Sequence, residues 1–197
     1  SCPPTRLPNS WRAGNSEGWM AEIVVISPED EIYPKDRLAA WFPTLPALHT
    51  LGNINLLRLP LMALFCSRKC PGDAILKAYD LSRELREKET PVISGFHTPV
   101  EKDMLEILLK GKGAIVICPA RGLEGMRVAE KIQNALNADR LLICTISPAS
   151  IKRITEETSI NRNRLVACLS NENRFIYVYP GGELFDLQQS IGQIISL

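Results

Sequence analysis

From Leu59 onward the chain repeats one pattern: a short, nearly unbroken apolar run followed by a longer amphipathic stretch. Leu61 to Cys66, Pro91 to Gly95, Ala114 to Cys118, Arg140 to Ser147 and Arg174 to Tyr179 read as strands. Between and after them, Asp73 to Lys88, Val100 to Lys110, Glu124 to Leu136, Arg162 to Asn171 and Glu183 to Ile195 read as helices. In the first of these, Ala74, Ile75, Ala78, Leu81 and Leu85 fall on one face. Strands alternating with helices at this spacing predict a parallel sheet with helices on both faces. Strands that are apolar throughout, rather than at every second residue, fit a sheet buried on both sides. The expected fold is α/β: a Rossmann-like three-layer αβα domain with a mainly parallel sheet, over residues 57–197.

Residues 1–56 read as a short N-terminal extension. Its first twenty residues hold Pro3, Pro4 and Pro8 among Gly, Ser and Asn, and are expected to form a loosely ordered arm. A β-like run follows at Ala21 to Ile26, then a helical pattern from Tyr33-Pro34 to Trp41. The stretch to Leu57 reads as irregular, with Gly52-Asn53 as a turn.

With 45% hydrophobic and 23% charged residues, the chain has globular composition, which excludes a disordered polymer. The longest apolar stretch, Leu59 to Cys66, is far short of the ~20 residues a membrane-spanning helix needs. Lys plus Arg number 23 against 22 Asp plus Glu, so any anion site must be a local patch. No basic n-region followed by an apolar segment opens the sequence, so no signal peptide is expected. The six cysteines mostly lie in apolar runs and are expected to be reduced thiols of a cytoplasmic protein.

In a doubly wound sheet, ligands lie outside the carboxyl ends of the strands. That rule selects the loops after the strand-like runs as candidate sites: Ser67-Arg68-Lys69, Ser94-Gly95-Phe96 and Arg121 among them. A hydroxyl beside an arginine at the start of a helix is a sensible anion cradle, and arginine suits bidentate phosphate capture. The plain alternative is an ordinary tight turn. No GxGxxG follows the first strand and no GxxxxGK[ST] is present, so neither a nicotinamide dinucleotide nor an ATPase site is expected, and no cofactor is assigned. Arg162-Asn163-Arg164 is expected to begin a helix, where two cations oppose the macrodipole. One arginine is expected to reach the crevice and the other to pair with a carboxylate. The competing account is a solvated basic turn balanced by Glu156 and Glu157. Cys66, Cys70 and Cys118 with His97 are of the types zinc takes, but they come from separate loops without a CxxC pair. Buried free thiols usually act as small hydrophobes, and no metal is assigned.

The order of motifs resembles the nucleotide-binding-fold domain of the DNA-processing protein A family (DprA, also called Smf), within the SLOG superfamily. The likeness runs over residues 30–182: Tyr33-Pro34, Pro46-Ala47-Leu48, Gly52-Asn53, Cys66-Ser67-Arg68 where the family has Gly-Ser-Arg, and Ser94-Gly95. Its most specific block is Arg162-Asn163-Arg164-Leu165-Val166-Ala167-Cys168-Leu169-Ser170, similar to the family's Arg-Asn-Arg-Ile-Ile-Ala-Gly-Leu-Ser. Phe96-His97-Thr98-Pro99-Val100-Glu101 stands where the family has Leu-Ala-Arg-Gly-Ile-Asp. The resemblance implies a non-enzymatic protein that binds single-stranded DNA in a basic pocket, forms a homodimer and helps load a RecA-type recombinase during natural transformation. It implies that Ser67 and Arg68 hold backbone phosphate and that Arg162 and Arg164 border the same pocket; Lys69, Ser94, Gly95, Arg121 and Asn163, from the same loops and helix, complete the candidate phosphate-binding set. Phe96 is the candidate to stack a base, with a buried core aromatic as the equal alternative.

Two alternatives stay open. SLOG phosphoribohydrolases resemble this chain in Pro180-Gly181-Gly182-Glu183, although their motif goes on Pro-Gly-Gly-x-Gly-Thr-x-x-Glu, whose glutamate has no counterpart here. A sensor of a nucleotide or nucleotide-derived signal would use the same cradle without a DNA track.

Overall fold

The computed structural model describes residues 22–195; the expected loosely ordered arm lies outside the described residues. The first strand is β1 (Val24–Ile26), followed by a short helix α1 (Lys35–Ala39) and a second strand β2 (Leu48–Gly52). A 3-10 turn at Ile54–Arg58 leads into β3 (Met62–Cys66) and α2 (Gly72–Glu87). Then come β4 (Val92–Ser94), α3 (Pro99–Leu108), β5 (Ile115–Ile117) and α4 (Glu130–Asn137). The chain continues through β6 (Leu141–Thr145), α5 (Glu156–Leu169), β7 (Glu172–Tyr177) and α6 (Glu183–Ile195). No helix among the described residues is long and apolar enough to cross a membrane.

The sheet has seven strands in the order β1-β2-β6-β5-β4-β3-β7. The five strands from β6 to β7 pair in parallel, while β1 on β2 and β2 on β6 are antiparallel. Register aligns Met62 with Val92, Val92 with Ile115 and Ile115 with Leu141, so the strands begin level. The α/β architecture and mainly parallel sheet are as expected.

Alternate strand residues feed two cores, as the two-residue period of a pleated strand requires. Ala63, Phe65, Ile93, Val116, Leu142 and Cys144 face one layer; Leu64, Cys66, Val92, Ile115, Leu141 and Ile143 face the other. The first layer is covered by α1, α5 and α6, the second by α2, α3 and α4. Helix α5 buries Leu165 through Leu169 without interruption, because α1 and α6 pack on it while it covers the sheet.

Three expectations change. The segment read as irregular contains β2, whose Thr50 and Leu48 are fully buried and which continues the sheet beyond β6. Helix α4 starts at Glu130, six residues later than expected, because Gly125 takes a left-handed φ of 65° and turns the chain first. Helix α5 starts at Glu156, six residues earlier than expected, because Thr155 and Thr158 form a reciprocal capping box.

Candidate functional site

Strands β3 to β6 are added in one direction and β7 then returns to the other side of β3, so the order reverses between β3 and β7. Crevices outside the carboxyl ends of the strands form at such a reversal. A cleft of about 580 Å³ opens there. Its walls are the loop after β3, the loop entering α3, the first half of α5 and the turn entering α6.

Ser67 ties the first of these loops to β7: its N–H donates to the Tyr177 carbonyl at 2.9 Å, and its Oγ accepts from the Tyr179 N–H at 2.9 Å. Its hydroxyl proton is not used in that bond. Arg68 is exposed, with Nη2 3.3 Å from His97 Nε2. Arginine carries only donors, so His97 accepts at Nε2 and holds its proton at Nδ1. Burial, and after it the cations Arg162, Arg68 and Lys102, hold the imidazole below its ordinary value of 6.5. The Lys69 ammonium lies 4.9 Å from the Tyr179 ring centroid.

Two buried charges lie behind this rim. Glu101 is only 5% exposed, and its carboxylate gathers three backbone donors: Cys66 N–H at 3.0 Å, His97 N–H at 2.9 Å and Thr98 N–H at 3.2 Å. It thereby completes the capping box of α3, with Pro99 at the first helical position, and also fixes the end of β3. Burial pushes its carboxyl above the ordinary 4.5, while Arg162 and the three amides pull it back. Arg162 is 6% exposed. Its Nε is buried without a hydrogen-bond partner, and among the described residues its guanidinium joins no ion pair. Burial lowers its proton affinity, opposed by Glu101, Cys118 and Glu183. An arginine stays charged throughout the ordinary pH range, so this desolvated cation is offset only by the attraction of nearby carboxylates, with no direct ion pair among the described residues, and retains capacity for an anion in the cleft.

Gly95 explains how Arg162 fits. A Cβ on Gly95 would stand 2.5 Å from Arg162 Cζ and 2.9 Å from its Cδ, and would overlap Nη1. The obstructing atoms belong to a flexible side chain, so Gly95→Ala should fold with a Tm within a few degrees of wild type while displacing the guanidinium. Anion binding at the cleft should fall about tenfold, roughly one charge-assisted hydrogen bond. Thermal melting together with an oligonucleotide titration checks both halves; unchanged affinity would show that Arg162 is not the anchor.

The remaining candidates separate. Ser67, Arg68, Lys69, Arg162 and Asn163 line the cleft. Ser94 does not: it is buried, donating to the Leu64 carbonyl at 2.7 Å and accepting from the Phe96 N–H, so it is a strand tie. Phe96 is 5% exposed within the core under α3, with a left-handed φ of 45°, so no base can stack on it. Arg121 lies after β5 and lines neither this cleft nor the smaller hollow beside it. Arg162 and Arg164 do not begin α5 but sit well inside it, so the macrodipole argument does not apply. Two residues apart on a helix they point about 200° from one another. Arg164 is exposed beside the smaller hollow of about 250 Å³, near Trp41, and among the described residues it pairs with no carboxylate. Cys66 interacts with Cys70 and Cys118 with Cys144, so the thiols fall into separate pairs. Burial pushes the thiols of Cys66, Cys118 and Cys144 up, the last to about 12.

Sequence reasoning missed Glu101, Tyr179 and Ile154, all lining the cleft. Glu101 had a signal: Thr98-Pro99-Val100-Glu101 is a capping box with proline at the first helical position. Tyr179 and Ile154 had none, since single apolar residues in loops are common.

Fold and cleft together define a Rossmann-like domain of the class that keeps its ligand site above the carboxyl edge of the sheet. A model of the DNA recombination-mediator protein A family matches residues 24–178, and the chain belongs to that family. Among solved structures, DNA processing protein A from Streptococcus pneumoniae superposes with a TM-score of 0.70 at 18% identity, over 87% of this chain and 60% of that one. The Helicobacter pylori protein of the same name, whose structure was described for its single-stranded DNA binding mode, superposes with a TM-score of 0.69 at 17% identity, over 88% and 78%. This chain therefore spans less than two thirds of the S. pneumoniae protein. No curated protein matches it.

Proposed function

We propose that the cleft binds the phosphate backbone of single-stranded DNA, and that the chain acts in DNA recombination without catalysing a reaction. The observation that carries this reading is Arg162: a guanidinium 6% exposed, lining an open cleft, with its Nε unpartnered. Ser67, Arg68 and Lys69 add one hydroxyl and two cations at the rim. A phosphate meets that demand, since it accepts several charge-assisted hydrogen bonds at once. Family membership and the single-stranded DNA described for the H. pylori protein support the choice of ligand. On the same reading the partners are a second copy of the chain and a RecA-type recombinase, and the setting is the uptake and recombination of DNA in the cytoplasm.

Titrating oligo-dT and dTMP at two salt concentrations tests the proposal. The oligomer should bind more tightly, and a fourfold rise in salt should cost it roughly twentyfold in affinity if about three phosphates are contacted. Equal binding of dTMP with little salt dependence would overturn it in favour of a nucleotide sensor. Against the hydrolase reading, both oxygens of Glu101 already accept backbone N–H groups, and the other two carboxylates lining the cleft, Glu156 and Glu183, are exposed to water at its rim rather than enclosed for acid–base work.

A further inference from the structure

The cations of the cleft do not account for its two exposed large hydrophobic side chains. Ile154 is 45% exposed and Tyr179 43%, both large and both lining the same cleft as Arg162. They come from different parts of the fold: Ile154 precedes α5, and Tyr179 follows β7. Apolar surface left open inside a concave, otherwise polar site is unfavourable in water and suits an apolar ligand face. Tyr179 is also held in place, because its N–H donates to Ser67 Oγ in the phosphate loop. Its ring face already accepts a stacked group, the Lys69 ammonium at 4.9 Å.

We propose that Ile154 and Tyr179 form a base-holding subsite: a nucleobase turned out of its strand stacks on Tyr179 and packs against Ile154 while the adjoining phosphate meets Ser67, Arg68 and Arg162. This rests on the phosphate reading of the cleft and adds that the bases are engaged as well as the backbone. Lys69 then leaves the ring for the phosphate, giving up only the weak contact expected of an exposed cation over an aromatic face. Bases inside a duplex are stacked on one another and do not reach such a ledge, so the subsite selects single strands.

The test compares oligo-dT with an abasic deoxyribose-phosphate oligomer of the same length, using wild type, Tyr179→Ala, Tyr179→Phe and Ile154→Ser. Wild type should prefer oligo-dT by about tenfold, the order expected for stacking one base. Tyr179→Ala should lose that preference while binding the abasic strand as before, Ile154→Ser should lose part of it, and Tyr179→Phe should keep it. If wild type binds both strands equally and with steep salt dependence, the subsite is overturned while the phosphate site stands. If Tyr179→Ala weakens both strands alike, the ring serves the phosphate and the subsite is again overturned. If neither strand binds wild type, the phosphate reading itself fails and the subsite falls with it.

Discussion

An Arg162→Met variant should bind oligo-dT at least about thirtyfold more weakly than wild type, the cost of losing a buried, hydrogen-bonded charge across an interface. The same variant should be as stable as wild type, or more stable by about 1–2 kcal/mol. The opposed signs follow from one observation. In the absence of an anion, Arg162 is a desolvated charge whose Nε has no partner, so the fold carries its cost and gains little from it. Methionine has a similar length without the charge and fills irregular gaps well. Glu101 keeps its three amide donors in the variant and loses only the attraction of Arg162, which moves its carboxyl further above 4.5 without breaking a hydrogen bond. Fluorescence anisotropy and urea denaturation read the two effects separately. A variant that loses stability in proportion to binding would mean that Arg162 holds the fold together and is not kept for a ligand.

Glu101→Ala should act in the reverse manner, with a loss of about 3–5 kcal/mol of stability. Three backbone N–H groups from two loops converge on this carboxylate. Removing it leaves each without its acceptor at roughly 1–3 kcal/mol apiece where no water reaches, and breaks the cap of α3. The Cys66 amide is the most exposed to this cost, since Cys66 is fully buried. Urea denaturation of the variant measures it. A loss under about 1 kcal/mol would mean that water replaces the carboxylate at these amides and that the two loops are not tied through it.

The parallel strands were legible because their apolar runs are unbroken and flanked by Gly, Pro or Ser, as at Met62–Cys66 and Ile115–Ile117. Strand β2 was not. Leu48-His49-Thr50-Leu51-Gly52 sits between Pro46 and Asn53, and its partners are β1, across a long connection, and β6, far along the chain, so nothing local signals the pairing. The start of α5 was hidden by a capping box made of two threonines, Thr155 and Thr158, where glutamate is the usual second member. That one shift moved Arg162 from a helix end to the second turn and changed the meaning of its charge. Residue type pointed to Ser67, Arg68 and Arg162, but the burial of Arg162 depends on the bare face of Gly95 from another strand end. Phe96 shows the converse: an aromatic beside a candidate loop whose left-handed backbone turns the ring into the core.

Helix α5 presents Arg162 and Asn163 to the cleft from its first half and fills the domain interior with Leu165 through Leu169 from its second. The proposed anchor and the keel of the molecule are thus one rigid rod. Local fraying of surface loops leaves such a residue in place, and it is lost only when the whole domain opens, so a strand held as proposed would be insulated from the small openings that a site built on loops alone would feel.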